Sequence, residues 1–170
     1  MQVSSMRLSR LRVWPLALLL LVTACARESV YFEEQTMGDE GWPADAPAEF
    51  AFDVPDTTQA YQLDFVLRHG DEYPNANVYL FVTVLSPQGA QRCDTLNYRV
   101  ADDRGAWLGK GFAGEREVRL PYAEEVRFAE PGVYTVRVQQ GMRYQTLPGV
   151  RRFALQVQLA TQSSVDDGQE

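Results

Sequence analysis

From Glu49 onward, apolar side chains recur at every second position: Phe50, Phe52 and Val54 alternate with Glu49, Ala51 and Asp53. Tyr61, Leu63, Phe65 and Leu67 repeat the pattern up to a break at His69-Gly70-Asp71. Successive side chains of a strand point to opposite faces, so this period predicts half-buried β-strands. Val78 to Leu85 is apolar at both parities, which predicts a central strand covered on two sides. Ser86-Pro87-Gln88-Gly89 has proline early and glycine late, the order of a turn. Arg92 to Val100 supplies a further strand and Ala101 to Gly105 a solvated loop. Val118 and Leu120, then Val126 and Phe128, mark shorter elements, and the intervening Pro121-Tyr122-Ala123-Glu124-Glu125 fits one helical turn. Val133 to Gln139 is rich in β-branched and aromatic residues, and Phe153, Leu155, Val157 and Leu159 alternate once more.

Eight or nine short strands at spacings near ten residues, with no long helical period between them, predict an all-β fold: a single antiparallel β-sandwich of jelly-roll or Greek-key type. The pattern argues against a parallel α/β fold, and the lack of internal repeats argues against a solenoid or propeller. The sandwich is expected over 47–160. Ahead of it, 25–46 is polar, acidic and glycine-bearing, and reads as a tether with one docked strand at Val30-Tyr31-Phe32. After it, the polar stretch 161–170 reads as a disordered tail.

The amino terminus departs from this pattern. Arg7, Arg10 and Arg12 precede an apolar run from Val13 to Val22, and small Thr23 and Ala24 precede Cys25. A basic start, a short apolar stretch and small residues at the cut make a secretory signal, here 1–24 with cleavage between Ala24 and Cys25. A spanning helix needs about 20 apolar residues, and this run is about half that length and carries Pro15. With cysteine in the first mature position, the segment resembles the signal of diacylated bacterial lipoproteins, in which the thiol carries diacylglycerol and the freed amine is acylated. One acyl chain holds a bilayer only marginally, whereas two or three make a stable anchor.

The leader carries three of the 16 basic residues and none of the acidic ones, so 13 basic residues remain against 23 acidic, a formal charge of −10. That balance argues against nucleic acid and against charge-driven adhesion to an anionic bilayer. Once Cys25 is acylated, Cys93 is the remaining thiol and no internal disulfide forms. Cys93 reads as a small, half-buried strand residue.

Catalytic chemistry has little to draw on. The single histidine, His69, lies at a strand end in Arg68-His69-Gly70-Asp71, and no G-x-S-x-G elbow or Cys-His pairing marks a nucleophile for it. One histidine and one free cysteine do not assemble a zinc site, and Asp102-Asp103 and Glu124-Glu125 lack calcium-loop spacing. No metal and no cofactor is expected. The glycines of Ala106-Trp107-Leu108-Gly109-Lys110-Gly111-Phe112-Ala113-Gly114 have no following helix to make a phosphate loop. Trp107 and Phe112 read either as a plug over the open end of the sandwich or as exposed aromatics for a partner or a sugar, the plug being preferred.

Taken together, Val22-Thr23-Ala24-Cys25, Gly41-Trp42, Asp56-Thr57-Thr58-Gln59-Ala60-Tyr61, Arg68-His69, Tyr73 to Phe81, Asp94-Thr95-Leu96-Asn97-Tyr98, Trp107 to Phe112, Gly132-Val133-Tyr134, Gln140 to Arg143 and Leu147-Pro148-Gly149-Val150 resemble the gliding-motility lipoprotein GldH family of Bacteroidetes. The likeness runs in one order over nearly the whole mature chain. Gly141, where a residue suited to a continuous strand is expected, is a small departure. The resemblance implies an envelope lipoprotein needed by a gliding apparatus that overlaps with type 9 secretion, and it implies no enzyme activity.

The expected function is a non-catalytic lipoprotein, lipid-anchored at the outer membrane, that docks on other envelope proteins of the gliding or secretion machinery. Arg68, His69, Trp107, Lys110 and Phe112 are the expected contact residues, because polar or aromatic groups at strand ends and glycine loops are poor core material. The alternative is a surface carbohydrate-binding sandwich using Trp107. A hydrolase built on a carboxylate or His69 ranks last.

Overall fold

The computed structural model describes residues 29–160, so the expected signal, the Cys25 lipidation site and the tail lie outside the described residues. The described chain is all-β, as the alternation predicts, with eleven antiparallel strands in chain order. They are β1 (Ser29–Thr36), β2 (Trp42–Pro43), β3 (Ala48–Val54), β4 (Tyr61–Gly70), β5 (Asn77–Leu85), β6 (Gln91–Arg99), β7 (Lys110–Phe112), β8 (Glu115–Val126), β9 (Gly132–Gln140), β10 (Thr146–Leu147) and β11 (Val150–Leu159). One sheet has the order β1-β11-β4-β8-β7, the other β3-β9-β5-β6, and β2 pairs with β10. Most connections pass from one sheet to the other, and β5–β6 and β7–β8 are the in-sheet hairpins, so this is a two-layer sandwich of crossed connections.

The core is the sum of the inward parities. Strand β3 alternates without a fault, with Ala48, Phe50, Phe52 and Val54 buried and the residues between them exposed. Phe153 on β11 is the meeting point of both layers, 4.7 Å from Trp42, 5.4 Å from Phe65 and 6.2 Å from Phe50 by ring centroids. Each such side chain removed from water is worth about 1.5–3 kcal/mol. Trp42 is fully buried, and its indole N–H donates to the Ala46 carbonyl at 3.0 Å, which settles the one polar group it brings inside.

The two long seams between the sheets are closed differently. At one, β1 meets β3 through Tyr31 on Phe52, 5.8 Å apart, and through the Gln35 amide donating to the Glu49 carbonyl at 2.6 Å. At the other, Tyr98 Oη donates to Pro121 O and Tyr122 Oη donates to Asp94 Oδ2, both at 2.7 Å.

Three expectations change. Within 25–46 the expected docked strand is present as β1, longer than Val30–Phe32 and hydrogen-bonded along β11, and Trp42 of β2 is in the core as well, so the folded unit begins by Ser29 rather than at 47. Low apolar content beyond Val30-Tyr31-Phe32 hid the rest of β1, because it is an edge strand with one side of its backbone and most of its side chains in solvent. Pro121 to Glu125 is not a helical turn but part of β8, carried past the proline by register shifts opposite Leu63. Proline lacks the ladder donor and is tolerated at such bulges. Finally, β5 does lie between β9 and β6, but it is covered on one face only, leaving Tyr79 40% and Phe81 47% exposed.

Strand direction gives the sandwich two distinct ends. Ser29, Tyr61, Val126 and Leu159 share one, where the described chain begins; Thr36, Gly70 and Glu115 share the other.

Candidate functional site

The far end is shaped by the β7–β8 hairpin. Its two turn residues, Ala113 and Gly114, have φ of 54° and 81°, the left-handed pair that lets a two-residue turn follow strand twist. A Cβ at Gly111 would lie 1.8 Å from the Glu115 carbonyl oxygen, so glycine is required for the strands to approach. The hairpin holds Phe112 almost wholly in water, 90% exposed, beside the exposed Lys110.

Arg68, Lys110, Gly111, Phe112, Glu115 and Glu117 line a cleft of about 270 Å³ on the outer face of the five-stranded sheet. An ion network forms its floor. Arg68 Nε is 3.2 Å from Glu34 and its Nη2 is 2.8 Å from Glu117, while Arg152 bridges Glu34 at 3.1 Å and also pairs with Glu115. The network carries three carboxylates against two guanidiniums. These partners are half-buried to exposed, so each pair adds only about 0.2–1 kcal/mol, and their larger effect is to hold the side chains in place.

His69 and Trp107 lie on the opposite side of the sheet. Adjacent residues of a strand face opposite ways, so Arg68 turns outward and His69 into the core. The imidazole is completely buried, with Nδ1 3.0 Å from the Gly70 carbonyl and ring contacts to Trp107 at 4.6 Å and Tyr73 at 5.3 Å. Burial is the largest influence on it and pushes its pKa below the ordinary 6.5. The neutral ring therefore donates Nδ1–H to Gly70 and is sealed from solvent. The expectation of an available strand-end histidine is corrected, because the end of β4 is roofed by Trp107, packed on His69.

The plug reading divides in the same way: half-buried Trp107 packs against the core, whereas Phe112 does not. Of the five expected contact residues, Arg68, Lys110 and Phe112 come together on the surface, and His69 and Trp107 come together beneath it. Glu34, Glu115, Glu117 and Arg152 were missed, since nothing local shows that strands far apart in the chain set them side by side. Cys93, expected half-buried, is exposed on the outward parity of β6. Among the described residues no group of three His, Cys, Asp or Glu is placed to hold a metal ion.

A family model described as GldH lipoprotein matches residues 29–157. The chain belongs to the GldH lipoprotein family. It is 35% identical over 125 residues to the gliding motility lipoprotein GldH homolog of Christiangramia forsetii, covering 74% of this chain and 76% of that protein. To the gliding motility lipoprotein GldH of Flavobacterium johnsoniae it is 34% identical over 132 residues, covering 77% and 81%. Among solved structures, a family 35 carbohydrate binding module from Clostridium thermocellum aligns over 75% of this chain and 85% of its own, with TM-score 0.35 and 14% identity. A chain of the infectious bursal disease virus Gx strain aligns over 82% and 32%, with TM-score 0.33 and 10% identity. As a GldH-family chain it carries its exposed hairpin, ion network and end cap inside the matched segment.

Proposed function

We propose that this GldH-family chain is a non-catalytic lipoprotein of the outer membrane, anchored through lipid on Cys25, that acts by docking on other envelope proteins of the gliding machinery and its associated type 9 secretion apparatus. The relatives named for gliding motility support the process, and the sequence around Cys25 supports the anchor. One structural observation carries the docking role: the described chain begins at Ser29 at one end of the sandwich, and Phe112 and Lys110 project at the other. The ten residues of β4 separate the ends by about 33 Å. An anchor at the first end presents the hairpin away from the bilayer, where an exposed aromatic ring beside a cation and a fixed ion network is material for a protein contact. The saccharide alternative at Trp107 finds no support there, because the indole is held against His69.

The test is complementation of a deletion strain with Phe112→Ala plus Lys110→Glu and, separately, Cys25→Ala, with co-purification of envelope proteins from membranes. The expected result is loss of gliding with loss of the co-purified partners for the hairpin variant, and loss of membrane retention for the cysteine variant. Full gliding and unchanged co-purification with the hairpin variant would sink the docking role.

A further inference from the structure

At the near end of the sandwich the seam between β6 and β8 does not close. Beyond the Tyr98–Pro121 and Tyr122–Asp94 hydrogen bonds, the next core-facing position of β6 is Arg92, which is exposed and paired with Asp94, and between Tyr122 and Val126 β8 offers the short Ala123. Neither fills the gap, and the irregular register of β8 opposite Leu63 bends that strand at the same place. The result is a cleft of about 340 Å³ walled by Leu63, Val84, Ala123, Val126, Phe128 and Tyr134. Its size and mostly apolar lining, with Arg92, Arg127 and Glu130 as the charged members, suit a slender hydrocarbon, at the lower end of the roughly 300–1,000 Å³ of ligand sites.

We propose that this cleft shelters one acyl chain of the lipid on Cys25, an inference that rests on the lipoprotein reading above. Position supports this occupant. The cleft opens at the end where β1 begins, and Cys25 precedes Ser29 by four residues, about 14 Å of extended chain. Strands β1 and β8 are three strand spacings apart in their sheet, again about 14 Å. The thiol therefore reaches the mouth and the hydrocarbon continues inward. A methylene gains by leaving water, whether into an apolar cleft or into a bilayer. In the aqueous space between membranes the cleft holds the chain; at a bilayer the chain exchanges into lipid at little cost. The fold thus covers part of its own anchor during transit.

The test uses the full lipidated chain from cells fed a terminally alkynyl fatty acid, with photo-reactive benzoylphenylalanine introduced at exposed Ala90 or Ala129 at the cleft mouth, or at Thr95 on the outer face as a control. After dilution from detergent into buffer and irradiation, mass spectrometry is expected to find a probe peptide joined to the acyl chain of the Cys25 peptide for Ala90 and Ala129, at least tenfold above Thr95. Equal yields at all three positions, or crosslinks to free phospholipid in place of the Cys25 lipid, would overturn the proposal. If the Cys25 peptide carries no fatty acid, the lipoprotein reading itself fails, and mass spectrometry of that peptide separates this result from an empty cleft.

Discussion

Trp107 meets His69 edge-on, with ring centroids 4.6 Å apart and ring planes at 63°, and together they seal the far end of the core. This pairing makes the histidine a pH-dependent element of stability. Burial lowers its folded pKa, so as pH falls below about 6.5 the unfolded chain takes up a proton that the native chain refuses. The contribution is complete above that value and is lost as pH falls through it toward the lower native one. The chain contains one histidine, so the effect has a single source. Urea midpoints at pH 7.5 and 5.5 are expected to fall more for the wild type than for His69→Phe, and equal falls would refute this assignment.

Ala113 occupies a φ of 54°, where a Cβ meets the following carbonyl at a cost of about 1–2 kcal/mol. Ala113→Gly relieves the clash but loosens the unfolded chain, so a net gain of about 0.5–1 kcal/mol is expected. Denaturant unfolding measures it, and a loss of stability would show that the turn is not of this left-handed kind.

Asp64 is on the outward parity of β4 yet its side chain is fully buried, held by Arg119 at 3.1 Å and by the Gln62 amide at 3.0 Å. Arg119→Ala strands that carboxylate and is expected to cost about 1–3 kcal/mol. Adding Asp64→Leu should recover most of the loss, since replacing both partners by apolar groups avoids an unpaired buried charge. Additive losses in the double-mutant cycle would rule out the coupling.

Phe112 and Lys110 are solvent-facing, so Phe112→Ala and Lys110→Glu should alter unfolding free energy by no more than about 0.5 kcal/mol. Their expected effect lies in partner recovery from membranes. A large stability loss in either variant would mean that the hairpin is packed rather than presented.

The period of two was enough to place β3, β4 and β11 and to assign their inward residues, because alternation is a property of the extended backbone itself, while β9 was legible from its β-branched and aromatic content. The same rule separated Arg68 from His69, but it did not say which of them faced water. At β5 it misled: a strand apolar at both parities reads as doubly covered, and Tyr79 and Phe81 prove to be open on the outer face. At β1 only Val30-Tyr31-Phe32 stood out, since an edge strand in solvent needs few apolar residues and the rest of it resembles a tether.

Read alone, the chain determined the strand-rich class, the acidic charge balance and the family resemblance. Tertiary structure decided which faces are covered, how Glu34, Arg68 and Arg152 meet across strands distant in the chain, why Trp107 roofs His69, and where the seam between sheets stays open. Alternation is encoded locally, residue by residue, whereas burial depends on what a second layer places above each position.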